Sequence, residues 1–474
     1  MFPIFLSLVV LLITLVTLNS VHKWWNPKCS GVLPPGSMGW PFLGETLQFF
    51  APNTTSGIPP FVNERIQKYG PVFKTRLVGQ AMIVSTDAEL NYFIFQKEGE
   101  LFQSWYPHTF TEIFGRQNVG TLHGFLFKYL KNMVLNLFGP ESLKKMLPEV
   151  EHATNRYLNM WSSCQTSVDV KETIAQMIFD LAGKKLISYD SENNSENLRG
   201  YFVAFMNGLI SFPSNIPGTA YHQCLQGRKK AMKMLRKMLQ ERRARPRETQ
   251  IDFFDYVLEE LKREDTVVTE AMALDLMFVL LFASYETTSS ALTLAIKFLT
   301  DHPLVFKQLT EEHDEIIKRR ENPDSGLTWS EYKSMKFTFQ FINETVRLAN
   351  IAPAIFRKTL KEFKFKEYTI PAGWAVMVST AAVHLNPATY NDPLEFNPWR
   401  WEGVDTNVAS RNFMVFGGGL RVCVGADFAK LQMAVFLHCF LTQYKWKAIK
   451  GGEIMRTPGL QFPNGYHIQI SRKY

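Results

Sequence analysis

Ten residues near the carboxyl end constrain this chain more than any others: Phe416-Gly417-Gly418-Gly419-Leu420-Arg421-Val422-Cys423-Val424-Gly425. Consecutive glycines reach backbone conformations closed to other residues and let the main chain approach a flat partner closely. Arg421 precedes Cys423 by two residues and can meet an anionic group. Behind Gly425 the run ADFAKLQMAVFLHCF has a helical pattern. A cysteine just ahead of a helix has its thiolate favoured by free N–H groups and the helix dipole. A strongly donating thiolate is the haem-iron ligand that favours O–O cleavage. Taken alone, the loop could still be a glycine turn with an incidental cysteine.

The rest of the chain limits the fold. Long stretches of 3.6-residue period, at 140–160, 171–187, 222–243, 268–300 and 302–320, predict helices. Short alternating pieces at 71–85 and 363–378 predict strands, the second pair turning at Pro371-Ala372-Gly373. No strand–helix–strand alternation supports a Rossmann or barrel architecture. Neither G-x-G-x-x-G after a strand nor G-x-x-x-x-G-K-[ST] occurs, so nucleotide binding has no support. The five cysteines show no metal-ligand spacing, which argues against a zinc site or a disulfide framework. A net charge of +8 over 474 residues is mild. It suits a membrane-facing or acidic-partner surface and no nucleic acid.

Phe2 to Leu18 is almost wholly apolar, with no charge before Lys23. Seventeen residues at ~1.5 Å each reach about 26 Å, near the lower limit for crossing a bilayer. Trp24 and Trp25 suit the headgroup interface. A positive n-region and a small-residue cleavage site are both missing, so an uncleaved anchor is expected over residues 1–22. A Pro/Gly-rich hinge is expected over 23–45, and one catalytic domain over 46–474. Unpaired cysteine usage places that domain on the reducing, cytosolic side.

The loop resembles the haem-binding segment of the cytochromes P450 at every fixed position: Phe416, Gly419, Arg421, Cys423 and Gly425. The resemblance implies the cytochrome P450 fold, mainly α with a small β portion. It implies haem b (iron-protoporphyrin IX) as cofactor, Cys423 as the metal ligand and Arg421 beside a haem propionate. Arg357, four residues after Pro353, resembles a second propionate partner. Glu344-Thr345-Val346-Arg347 matches the family's E-x-x-R, whose charges share one helix face. With Arg400 in Phe396-Asn397-Pro398-Trp399-Arg400-Trp401 it resembles the Glu–Arg–Arg triad, a structural rather than catalytic feature. Ala283-Ser284-Tyr285-Glu286-Thr287-Thr288 resembles the oxygen-activation motif, with Ser284 in place of the usual Gly. Thr287 and Glu286 are then the expected catalytic pair, handling protons during dioxygen activation. The bland alternative is a threonine bonded back to its own helix. A larger departure lies at Phe127 and Lys131, where the family usually shows Trp or His and Arg. Lys131 is expected to keep the propionate charge without the bidentate fork.

The resemblance covers nearly the whole chain and implies a monooxygenase in the endoplasmic reticulum membrane. It would be single-pass, fed by NADPH-cytochrome P450 reductase through a basic face of Lys128, Lys131, Arg421 and Lys430. Trp40-Pro41-Phe42-Leu43-Gly44-Glu45-Thr46 and the segment Phe212–Tyr221 resemble plant members that oxidise triterpenes, brassinosteroids and related terpenoids. The expected substrate is a tetracyclic triterpenoid, specifically cucurbitadienol at C-11, with another plant sterol or terpenoid as the alternative. The surplus of 38 Phe and 18 Met suits an enclosure for such a ligand. Segments around 104–126, 202–212, 276–287, 352–356 and 460–463 are expected to line it. A haem-thiolate lyase or isomerase is a remote rival, because such relatives tend to alter the motif around Thr287 or the cysteine loop. A non-catalytic lipid-binding protein would have no need of Cys423.

Overall fold

The computed structural model describes residues 2–164, 166–191, 196–249, 251–322, 325–404, 411–457 and 459–473. Helices dominate, as expected, and the five periodic stretches form Pro140–Ser162, Val170–Ile187, Ala220–Ala244, Glu270–Asp301 and Pro303–Lys318. The long helix Glu270–Asp301 starts where the Thr269 hydroxyl accepts the Met272 N–H at 3.2 Å. It is apolar on most sides and therefore buried: Phe278, Leu281, Tyr285, Leu292 and Ala295 are each at most 2 % exposed. Tyr285 packs edge-on against Phe179 of Val170–Ile187 at 5.3 Å, joining the two helices. The helix Ala426–Gln443, here the cysteine helix, is buried in the same core.

The β portion is divided among small sheets. A five-stranded sheet runs in the order Val72–Leu77, Gln80–Ser85, Ala375–Val378, Ile355–Thr359, Phe102–Ser104. Its pairs are antiparallel except Gln80–Ser85 with Ala375–Val378. The register sets Ser104 opposite Arg357. In a second sheet Tyr466–Arg472 is the central strand, paired antiparallel with Tyr444–Gly451 on one side and Val168–Asp169 on the other.

Phe2–Trp25 forms a helix, and Val9–Trp25 is its described apolar run. The longer apolar helix, Glu270–Asp301, lies mostly inside the core. Residues 26–45 lie along the sheet as a strap. Lys74 Nζ donates to the Pro34 carbonyl at 3.1 Å, and the Lys74 N–H to Pro35 at 2.8 Å. Thr369 N–H donates to Val32 at 2.7 Å. Trp24 and Trp25 donate to the carbonyls of Met38 and Gly39, and the Arg76 guanidinium stacks on Trp24 at 3.8 Å.

Three buried histidines lie inside this frame. His313 and His438 meet through their Nδ1 atoms at 3.1 Å, linking Pro303–Lys318 to the cysteine helix. His384 Nδ1 lies 2.7 Å from Asn350 Oδ1, and its Nε2 accepts the Met414 N–H at 3.0 Å. Burial, aided by the charge of Arg347, pushes His384 down to about 3. Burial and then Arg320 push His438 down to about 4, and burial and then His438 hold His313 well below 6.5.

Candidate active site: a cysteine and a threonine lining one cavity

The glycine loop is shaped by its own hydrogen bonds. Cys423 N–H donates to the Phe416 carbonyl at 2.9 Å, and Gly417 N–H to Met414 at 2.9 Å. Gly419 has φ +62°, and a Cβ there would collide with the Phe95 carbonyl oxygen. Only glycine lets the loop rest directly on the last turn of Ala88–Gln96. Gly425 has no such constraint within the protein: its φ is ordinary, and an added Cβ would stand at ordinary contact distance, 3.9 Å, from the Cys423 sulfur.

The loop forms one wall of a cavity of about 470 Å³. Phe416, Arg421, Cys423 and Gly425 line it. Ala283, Ser284, Thr287 and Thr288 of the long helix also line it, as do Phe127 and Lys131 and, from the sheet side, Arg357. Cys423 is exposed in that its residue opens onto this space. Its surroundings do not by themselves favour the thiolate. Burial pushes the thiol up, and Asp427 adds to this, while the Gly425 N–H and Lys131 pull it down. Burial thus outweighs the helix end at this cysteine. A coordinated metal ion deprotonates a thiol outright, and that charge exceeds any helix end.

Segments 104–126, 276–287 and 352–356 contribute to the lining; 202–212 and 460–463 do not. Phe205 lies behind the wall instead. It packs on Phe114, Phe278 and Phe282 at 4.9–5.4 Å, in a run continued by Phe110 and Tyr106.

Three cations reach the cavity. Arg421 turns inward: Nε lies 2.6 Å from Glu98 Oε1, and NH1 and NH2 donate to Val119 and Leu122 at 3.0 and 2.6 Å. Its guanidinium stacks 3.9 Å above the Phe127 ring. Phe127 therefore orients the arginine by its face where a Trp or His would offer a donor. Arg357 meets the other oxygen of Glu98 at 2.7 Å, as a charge pair rather than an aligned hydrogen bond. Lys131 donates to the Leu420 carbonyl at 2.6 Å. The expected basic outer face is reduced accordingly: Arg421 is half-buried with its side chain largely covered, Lys430 is half-buried over Phe416, and Lys128 is exposed.

On the long helix, Thr287 Oγ1 donates to the Ala283 carbonyl at 2.9 Å while lining the cavity. Glu286 is not in the lining. Its Oε1 lies 3.0 Å from Lys171 Nζ, which also donates to Ser289 at 2.8 Å. Lys171 was not singled out from sequence, since 118 residues separate it from Ser289.

Below the loop, Glu344 and Arg347 are fully buried and paired through two bonds, at 2.8 and 2.7 Å. Arg400 Nε, Trp401 Nε1 and the Asn397 N–H also donate to Glu344, at 2.9, 2.9 and 3.0 Å. Arg347 reaches on to the His384 carbonyl at 2.8 Å, and the His384 ring holds Met414 at the loop entrance. Trp401 and His384 complete a network of which the motif shows only three members.

The donor set fits a haem. One thiol, Cys423, lines the cavity together with the cations Lys131, Arg357 and Arg421, and the long helix adds the apolar side chains of Leu276, Leu280, Ala283 and Ala291. Among known proteins, the family profile described as Cytochrome P450 matches residues 34–466. The chain is 58 % identical over 459 residues to "Cytochrome P450 87A3" of Oryza sativa subsp. japonica, covering 96 % of this chain and 89 % of that one. It is 41 % identical to "Cucurbitadienol 11-hydroxylase" of Siraitia grosvenorii, covering 96 % of each. The solved structure of "Retinoic acid bound cyanobacterial CYP120A1" superposes with a TM-score of 0.83 at 28 % identity, covering 94 % of this chain and all of that one. A cavity-facing cysteine on a glycine loop, with a whole-chain match in sequence and fold, makes this chain a member of the cytochrome P450 family, a monooxygenase built around haem iron.

Proposed function

We propose that this enzyme hydroxylates a tetracyclic triterpenoid, with cucurbitadienol at C-11 as the specific candidate. The observation that carries the reading is that Cys423 and Thr287 line one and the same cavity. The kinship to a cucurbitadienol hydroxylase and the aromatic run behind the wall support a large apolar substrate. Haem b, held by the Cys423 thiolate, supplies dioxygen activation and O–O cleavage when bound.

The protein's own part is orientation and proton handling. Arg357, Arg421 and Lys131 would hold the propionates of the haem. Phe416 and Gly419 give the loop its shape, and Glu344, Arg347 and Arg400 fix it from below. The Thr287 hydroxyl can release its bond to Ala283 and donate into the cavity. Glu286, paired with Lys171, holds a proton site one residue away and reaches solvent through the partly exposed pair. The apolar walls exclude bulk water.

Residues 1–22 anchor the chain in the endoplasmic reticulum membrane and 23–45 connect it to the catalytic unit 46–474, which faces the cytosol. NADPH-cytochrome P450 reductase delivers electrons at the face that carries Lys128.

The class is tested on microsomes by the reduced, carbon-monoxide-bound thiolate spectrum. Wild type should show it and Cys423→Ala should lose it; an unchanged spectrum in the variant refutes the assignment. The substrate is tested by co-expression with a reductase and a panel of triterpene cyclases. Oxidation of cucurbitadienol at C-11 bears out the specific candidate. Its absence beside another oxidised triterpenoid removes that candidate and keeps the class.

A further inference from the structure

Arg357 and Arg421 arrive at the cavity rim from different parts of the chain, one from the strand Ile355–Thr359 and one from the glycine loop. Both are gripped by the same side chain. Glu98 lies in the turn after Ala88–Gln96, and its two oxygens meet Arg357 Nε at 2.7 Å and Arg421 Nε at 2.6 Å. All three side chains are buried, at 5, 4 and 9 % exposure for Glu98, Arg357 and Arg421. Glu98 does not line the cavity; it stands behind the two that do.

Its position is built in. The Ser104 N–H donates to Glu98 Oε1 at 3.1 Å, and Ser104 is the register partner of Arg357. Phe95, three residues before Glu98, is the surface on which Gly419 rests. The turn, the strand and the cysteine loop are thus joined through one carboxylate. Two buried guanidinium groups side by side repel and are costly to desolvate without an anion between them. Glu98 takes the Nε edge of each. Arg357 spends NH1 on the Phe356 carbonyl, at 2.9 Å, leaving its second terminal nitrogen for an anionic ligand.

We propose that Glu98 is a positioning residue for the haem, holding Arg357 and Arg421 by their Nε edges and setting the local charge that the bound cofactor meets. The inference rests on the reading of the cavity as the haem site. It has an electrostatic consequence that packing alone lacks. Reduction adds an electron to the site, so removing a nearby buried negative charge favours the reduced state.

The test uses the purified full-length protein with its haem. Glu98→Gln keeps the shape and an oxygen for Ser104 but drops the charge. Its reduction potential, followed by spectroelectrochemical titration, should move positive. Haem transfer to a scavenging acceptor protein should accelerate roughly tenfold, the lower end for loss of an outer-shell partner. Glu98→Asp keeps the charge and should hold the potential near wild type. A haem-loaded Gln variant with wild-type potential and transfer rate overturns the proposal. Where the Gln variant accumulates without haem, haem retention at wild-type potential by Glu98→Asp supports the proposal, and its failure overturns it. Failure of the wild-type protein to take up haem would instead sink the reading of the cavity.

Discussion

Acid should destabilise this protein earlier than its carboxylates alone would dictate, and His384 should account for a definable share. Its native value is about 3, against about 6.5 for an unfolded histidine. Between those two values the unfolded chain binds the proton and the native state does not. Stability is therefore complete above pH 6.5 and declines as pH falls toward 3, by about 1.4 kcal/mol per pH unit per histidine. At pH 5 His384 costs roughly 2 kcal/mol, and His438, held at about 4, costs roughly the same. His313 acts in the same direction. The unfolding entropy of a 474-residue chain is about 1 kcal/mol per kelvin. His384 and His438 together should thus lower the thermal midpoint by about 4 °C between pH 7 and pH 5. His384→Gln can still pair with Asn350 and accept from Met414 while having no proton to gain. Scanning calorimetry at one fixed rate should show its drop to be smaller by about 2 °C. A flat wild-type profile over that range, or an undiminished drop in the variant, would refute the reasoning.

Two further outcomes follow from the site. Gly419→Ala places a Cβ against the Phe95 carbonyl at a positive φ, so the loop must shift. The variant should accumulate with loss of the thiolate spectrum; full retention of haem would show that the contact is soft. Thr287→Ala removes the hydroxyl facing the cavity and should leave NADPH consumption largely intact while product per NADPH falls severalfold. Tight coupling in that variant would exclude Thr287 from proton handling.

The cysteine loop was legible from sequence because its constraints are local: glycine conformations, a following helix and a single thiol within ten residues. The long helices were legible for the same reason, their apolar period being strong enough to survive any tertiary context. The strand Ile355–Thr359 was missed because five residues carry little alternation and its pairing partners lie far off in sequence. Tyr444–Gly451 alternates, but its lysines leave it mostly exposed, a pattern that also suits a loop. Glu98 and Lys171 were invisible for a different reason. Glu98 meets Arg421 across 323 residues, and nothing near it in sequence marks it off from a solvated surface acid. The E-x-x-R motif announced two charges but not that Trp401 and His384 would join them.

The Glu344 carboxylate accepts five hydrogen bonds from four residues, Arg347, Asn397, Arg400 and Trp401, with its side chain wholly enclosed. Losing Glu344 strands Arg347 as an uncompensated buried charge, at about 3–5 kcal/mol, while later losses around it cost progressively less. Such strong epistasis makes the cluster an evolutionary ratchet. Each member is maintained by the others, and a lineage can leave the arrangement only by changing several at once. Selection on substrate range is then channelled to cavity residues outside that cluster.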